Sequence, residues 1–211
     1  MPAAAPTIAA TAVASEPVAL TLNLPKDVRL QVTPEQFEAL AANNRDLRLE
    51  LTATGELIVN SPTGAGTGAR NWSISGELYV WWRGAGQPGQ AFDSSPGFRL
   101  PNGAILSPDA SWASADRWDS LTPEEQEAFA PICPDFVAEL RSKSDSLEAT
   151  QAKMREYVEN AARLGWLLDP KTRKVEIYRP DRAVEVLTDP KTLSGEDVLS
   201  GFTLELVRIW G

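Results

Sequence analysis

With 211 residues, 43% of them hydrophobic, the chain can bury the core of one compact domain, with or without a tail. It has no histidine and one cysteine, Cys133, which excludes Ser-His-Asp and Cys-His triads, His-ligated zinc, internal disulfides and multi-cysteine metal sites. A formal net charge of −9 argues against a broad basic surface for nucleic acid, leaving local basic clusters or a bound cation to meet any phosphate.

Met1 to Ser15 is rich in Ala, Pro and Thr, has no Lys or Arg before Lys26, and is interrupted by Pro2 and Pro6. That pattern disfavours a secretory signal and predicts a disordered tail over residues 1–17, followed by a single domain over 18–211. Thr33-Pro34-Glu35-Gln36 carries a capping box with proline in the first turn, so a helix starts there, buries Phe37, Leu40 and Ala41, and ends at Asn43-Asn44. Leu47 to Leu51 alternates with period two, and Glu56 to Val59 follows a short turn, which predicts a hairpin. Pro62 to Gly68 reads as a turn region. Asn71 to Arg83 reads as a helix with Ile74, Leu78 and Trp81 on one face.

Short strands are then expected at Gln90–Asp93, Gly97–Leu100 and Asp109–Ala113, with a small helix over Ser120–Phe129. The strand Phe136–Arg141 leads into a helix from about Asp145 to Leu164, where Asp145 and Glu148 have capping-box spacing. Leu147, Met154, Val158 and Ala161 would form its buried stripe. Further strands are expected at Trp166–Leu168, Lys174–Arg179, Val184–Leu187 and Phe202–Trp210. Strands mixed around one long helix give an α/β (mixed α+β) class, a mixed sheet with helices packed against it. No run approaches the length of a membrane-spanning helix. The lone cysteine fits a reducing, cytoplasmic compartment. An exposed apolar helix or strand on such a fold makes a homodimer plausible.

Three side chains suggest chemistry. Asp109 follows Pro108 at a strand entry, and Glu139 lies 30 positions later in the apolar run Phe136-Val137-Ala138-Glu139-Leu140. Lys153 sits on the next helix, four residues before Tyr157, within reach of the sheet end. Two acids and a lysine on adjacent elements can hold a divalent metal and attack a phosphodiester. Without histidine the ligands are oxygens, so Mg²⁺ or Mn²⁺ is the expected ion. Each residue also has a plain structural role. Asp109 serves as a turn residue, Glu139 as an ion-pair partner of Arg141 on the same strand face, and Lys153 as a solvated surface charge. Asp135 and Asp145 read as turn and cap, and Trp72, Trp81, Trp82 and Trp112 as core rather than base-stacking platforms.

The ordered pieces resemble the Uma family of bacterial endonucleases, of the restriction-endonuclease-like PD-(D/E)-X-K class. They are Gly55-Glu56-Leu57-Ile58-Val59, Ser61-Pro62-Thr63-Gly64, Ser107 to Trp112, Pro134 to Ser146, Lys153 to Tyr157, Gly165 to Pro170 and Val175 to Pro180. The resemblance spans roughly Val32 to Arg208. It implies a restriction-endonuclease-like mixed β-sheet flanked by helices and Mg-dependent cleavage of DNA. Asp109 matches the first acid and Glu139 the second, with the Leu140 carbonyl a further metal ligand. The superfamily's lysine two residues after the second acid is Arg141 here, and Lys153 fits relocation of that lysine onto the helix. Arg141 cannot accept a proton but could hold a phosphate. Glu50 or Glu77 could supply the additional N-terminal acid common in the superfamily, with Glu50 preferred, and Tyr157 is a further accessory candidate. Two alternatives stand beside the endonuclease. One is a catalytically inactive binding or assembly protein on the same scaffold, which the acidic charge and the absent in-strand lysine favour. The other is a glycoside hydrolase with paired carboxylates, although no sugar-binding pattern is evident.

Overall fold

A computed structural model describes residues 28–211. The Ala/Pro-rich tail lies outside the described residues. Helix α1 (Pro34–Asn43) starts on the expected capping box, with Thr33 and Gln36 satisfying each other's backbone N–H groups. Strands β1 (Arg48–Leu51) and β2 (Leu57–Asn60) form the hairpin, with Glu50 opposite Ile58. Helix α2 (Ala65–Gly84) follows, then β3 (Gln90–Phe92), β4 (Phe98–Arg99), β5 (Ile105–Leu106) and β6 (Ala110–Ala113). Short helices α3 (Ala115–Trp118) and α4 (Pro123–Glu127) precede β7 (Phe136–Leu140), the long helix α5 (Leu147–Glu159), β8 (Leu164–Asp169) and β9 (Lys174–Tyr178). The chain ends with β10 (Glu185–Thr188), β11 (Thr192–Ser194), β12 (Thr203–Glu205) and α6 (Val207–Trp210).

The class is mixed α+β as expected, with the strands divided among three sheets. The central sheet has the order β10-β9-β8-β7-β6-β3. Its β7–β8 pair is parallel and its other pairs are antiparallel. A parallel pair needs a crossover, and α5 supplies it. Because β7 and β8 are covered on both faces, every residue of both strands is buried. Phe136, Ala138 and Leu140 face a core with Ile74 and Leu78 of α2, Trp166 and Phe202. Val137 faces the opposite core with Met154 and Tyr157 of α5, Phe98 and Leu106. Gly165 permits that second packing, since a Cβ there would lie 2.5 Å from Met154 Cε. The second sheet, β2-β1-β5-β4, joins through Leu51 opposite Ile105, with Phe37 packed over both. This junction brings β1 beside the segment that enters β6.

Several expectations differ from what is observed. Helix α2 starts at Ala65 rather than Asn71; Ala65 to Ala69 are small residues without an apolar stripe, but Gly68 N–H bonds the Gly64 carbonyl and opens the helix. Helix α5 ends at Glu159, because Asn160 caps it, Ala161 takes a positive φ of 81° and Leu164 already belongs to β8. Its N-cap is Ser146, not Asp145, and its buried residues are Met154 and Tyr157, while Ala161 is exposed. The expected last strand divides into β12 and α6. Trp112 is buried, Trp81 and Trp82 are half-buried, and Trp72 is 78% exposed, so the core reading fails for Trp72.

Phe136 is fully buried and meets Trp166 edge to face at 4.8 Å between centroids. Phe136→Ala is therefore expected to cost about 3–5 kcal/mol. Urea unfolding measures this; a loss below about 1 kcal/mol would show that β7 does not anchor the core.

Candidate functional site

Glu50, Asp109, Glu139 and Lys153 converge where β1, the entry to β6, the end of β7 and α5 meet. In β1, Leu49 and Leu51 turn into the core over Phe37, which sends Glu50 to the other side. There its Oε1 accepts from Ser107 N–H at 2.8 Å and its Oε2 from Asn60 Nδ2 at 3.1 Å. Asp109 extends the β6–β7 ladder, its N–H bonding the Ala138 carbonyl at 3.0 Å. Its Oδ2 accepts from Leu140 N–H at 2.8 Å, and its Oδ1 from Asn71 Nδ2 at 3.1 Å and an Arg48 terminal nitrogen at 3.3 Å. Glu139 shares the α5 side of β7 with Val137, and its Oε1 accepts from Tyr157 Oη at 3.1 Å.

Lys153 binds this set together. Its Nζ lies 2.8 Å from Glu50 Oε1, 2.8 Å from Glu139 Oε1 and 3.1 Å from the Ser107 carbonyl. The Tyr157 ring lies 5.8 Å beneath it. Three carboxylates face two cations, Arg48 and Lys153, so with all three acids ionised one negative charge goes uncompensated in a buried place. Ion pairs of this kind cost several kcal/mol of desolvation per charge, so a fold needing only stability would be served as well by apolar residues. Such clusters of perturbed titratable groups mark functional sites more often than random positions.

Burial pushes the Glu139 carboxyl up to about 7, against the pull of Lys153 and with help from Asp109 and Glu50. Burial works against the Lys153 charge, yet Glu139 and Glu50 outweigh it and raise its pKa. Burial also opposes the Glu50 charge, but Lys153, Ser107 N–H and Arg48 hold its carboxyl below the ordinary range.

The other expected residues lie apart. Tyr157 joins through Glu139, whereas Glu77 is exposed on α2 and contributes nothing to the cluster. Arg141 is drawn away from Glu139 and donates to Asp169 Oδ2 at 2.8 Å and to the Asp145 carbonyl at 3.2 Å. The Glu139–Arg141 pair anticipated above is replaced by Glu139–Lys153. Asp135 takes Ser114 N–H at 2.8 Å and faces Arg117 and Arg163, a structural role. Arg48 and Asn71 escaped the sequence reading. Arg48 stands two residues before Glu50 on an alternating strand, so period two places it on the face of Glu50; nothing around Asn71 signals its contact. Among the described residues, no three His, Cys, Asp or Glu side chains stand close enough to enclose a metal. Two surface grooves lie elsewhere, one beside Trp72, Tyr79 and Phe92 and one beside Arg155, Arg179 and Arg182.

Residues 34–207 match the Uma2 family, described as "Putative restriction endonuclease". The chain belongs to this family. No curated protein matches it. Among solved structures it is similar to one titled a "putative nuclease belonging to DUF820" from Anabaena variabilis ATCC 29413. That match has a TM-score of 0.65 and 20% identity, covering 77% of this chain and 89% of that one. The likeness shows a shared fold. Among the described residues no helix is long and apolar enough to cross a membrane.

The raised Glu139 pKa gives a stability prediction. Between the ordinary glutamate range and about 7, the folded protein holds a proton that the unfolded chain has released. Stability is therefore lost as pH rises through that window, and Glu139→Gln removes this component of the slope. Thermal melts of both proteins across the window check it; parallel pH profiles would contradict it.

Proposed function

We propose that this Uma2-family chain is a metal-dependent endonuclease that hydrolyses DNA phosphodiester bonds. The observation that carries the reading is the pair of glutamate oxygens, Glu50 Oε1 and Glu139 Oε1, each 2.8 Å from one cationic nitrogen beside Asp109. An all-oxygen donor set with a surplus negative charge fits a hard divalent ion. Asp109, Glu139 and the Leu140 carbonyl would hold Mg²⁺ or Mn²⁺, with Glu50 as the accessory acid. When bound, the ion would lower the pKa of its water and offset charge building on the phosphate.

The chain's own groups do the positioning. Leu140 N–H fixes Asp109 Oδ2, and Tyr157 Oη fixes the Glu139 carboxyl. Lys153, with its raised pKa, stays cationic near neutral pH. It therefore orients the attacking water and stabilises developing negative charge, and does not accept a proton. Its ammonium is held by Glu50, Glu139 and the Ser107 carbonyl in this structure, so one of these contacts must open as water or substrate enters. A homodimer in the cytoplasm would present two such sites to the two strands, and the exposed Trp72, Tyr79 and Val80 of α2 offer apolar surface for pairing.

The saturated ion pairs and the charge of −9 favour a second reading, a non-catalytic binding or assembly protein on this scaffold. Plasmid nicking separates the two. Purified protein with Mg²⁺ or Mn²⁺ is expected to nick supercoiled DNA, and Glu139→Ala to lose about a hundredfold or more of that rate. Absence of cleavage by the parent protein with either ion would select the second reading. Full activity in Glu139→Ala would remove this acid from the mechanism.

A further inference from the structure

Resting on the nuclease reading, we infer that Arg48, rather than Lys153, is the residue of this site that grips a phosphate of the DNA backbone. The argument is a count of donors. An ammonium has three N–H groups; Lys153 donates to Glu50 and the Ser107 carbonyl and forms an ion pair with Glu139 at 2.8 Å. A guanidinium has five, and Arg48 spends two, one terminal nitrogen on Asp109 Oδ1 at 3.3 Å and the other on the Ser107 carbonyl at 2.6 Å. Its Nε is buried without a partner, and each terminal nitrogen keeps a second hydrogen. The Arg48 side chain is 35% exposed against 18% for Lys153, so it is the cation that a ligand outside the cluster reaches first.

Its present bonds also allow the exchange. The contact to Asp109 is long, and Asn71 Nδ2 already holds the same carboxylate oxygen at 3.1 Å. Asp109 therefore stays seated when Arg48 turns part of its fork outward. The Ser107 carbonyl, also bonded by Lys153, keeps the guanidinium anchored at its other end. A planar fork with free N–H groups suits the paired oxygens of a phosphodiester. In a protein of net charge −9, one such cation at the cluster is a large share of the local attraction for a polyanion.

The test is binding of a short duplex oligonucleotide in Ca²⁺ over a series of salt concentrations, using the full chain and Arg48→Gln, which retains a donor for the Ser107 carbonyl. Losing one phosphate contact is expected to weaken binding about tenfold at low salt and reduce the slope of log K against log salt by about 0.9. Arg48→Lys, which keeps the charge, is expected to restore most of the slope. Mn²⁺ affinity by calorimetry is expected not to fall in either variant, since removing or keeping this cation takes no ligand from the acids. An unchanged salt slope with weakened Mn²⁺ binding would overturn the inference, because Arg48 would then act only through Asp109. A second readout needs no substitution: the Arg48 side-chain N–H resonances of the parent protein should shift when duplex is added, and unmoved resonances would overturn the inference even if Arg48→Gln failed to fold. Failure of the parent protein to bind duplex at all would sink the nuclease reading itself, a result distinguishable from an unchanged slope.

Discussion

The ammonium of Lys153, held between Glu50 and Glu139 with the Ser107 carbonyl beneath, is the contact on which this architecture converges. It ties α5 to β1, to the β5–β6 connection and to β7, elements of two different sheets. Remove the cation and two buried carboxylates face each other in a poorly solvated space, a more costly arrangement than the intact triad. Acids gathered to this density favour positive charge, and Lys153 supplies it here.

The backbone sets the geometry around that centre. Asp109 stands where the β6–β7 ladder gives way to side-chain bonding, so its carboxylate takes up the Leu140 N–H as the next rung. Glu139 is fixed by strand alternation and by Tyr157, whose ring is fully buried under α5. Gly165 on the neighbouring strand leaves room for the Met154 side chain of α5. Packing and electrostatics thus specify the same side-chain positions.

Much of this was legible in the chain. Period two in Leu47 to Leu51 and the apolar run Phe136 to Leu140 marked the strands, and the capping box at Thr33 marked a helix start. Asp109, Glu139 and Lys153 stood out because acids in apolar strands are costly and a lysine lay one helix away. What stayed hidden depends on long-range contact. Two-residue β5 and three-residue β11 have no periodicity of their own and exist through pairing with β4 and β12. The glycine-rich start of α2 hides a helix that only its tertiary contacts explain, such as Arg70 reaching the Ile209 carbonyl at 2.8 Å. Arg141 was misplaced because the competing acid, Asp169, lies on a strand whose pairing with β7 is itself long-range. Asn71 is a single amide on an unremarkable turn of helix, and its neighbour Asp109 comes 38 positions later.

A crystal structure grown with Mn²⁺ and read by anomalous scattering confronts these ideas most directly. The account predicts a peak bridging Asp109 and Glu139, with Lys153 Nζ withdrawn from at least one of its two glutamates. An empty map at full Mn²⁺, with the lysine still seated between both acids, would contradict it.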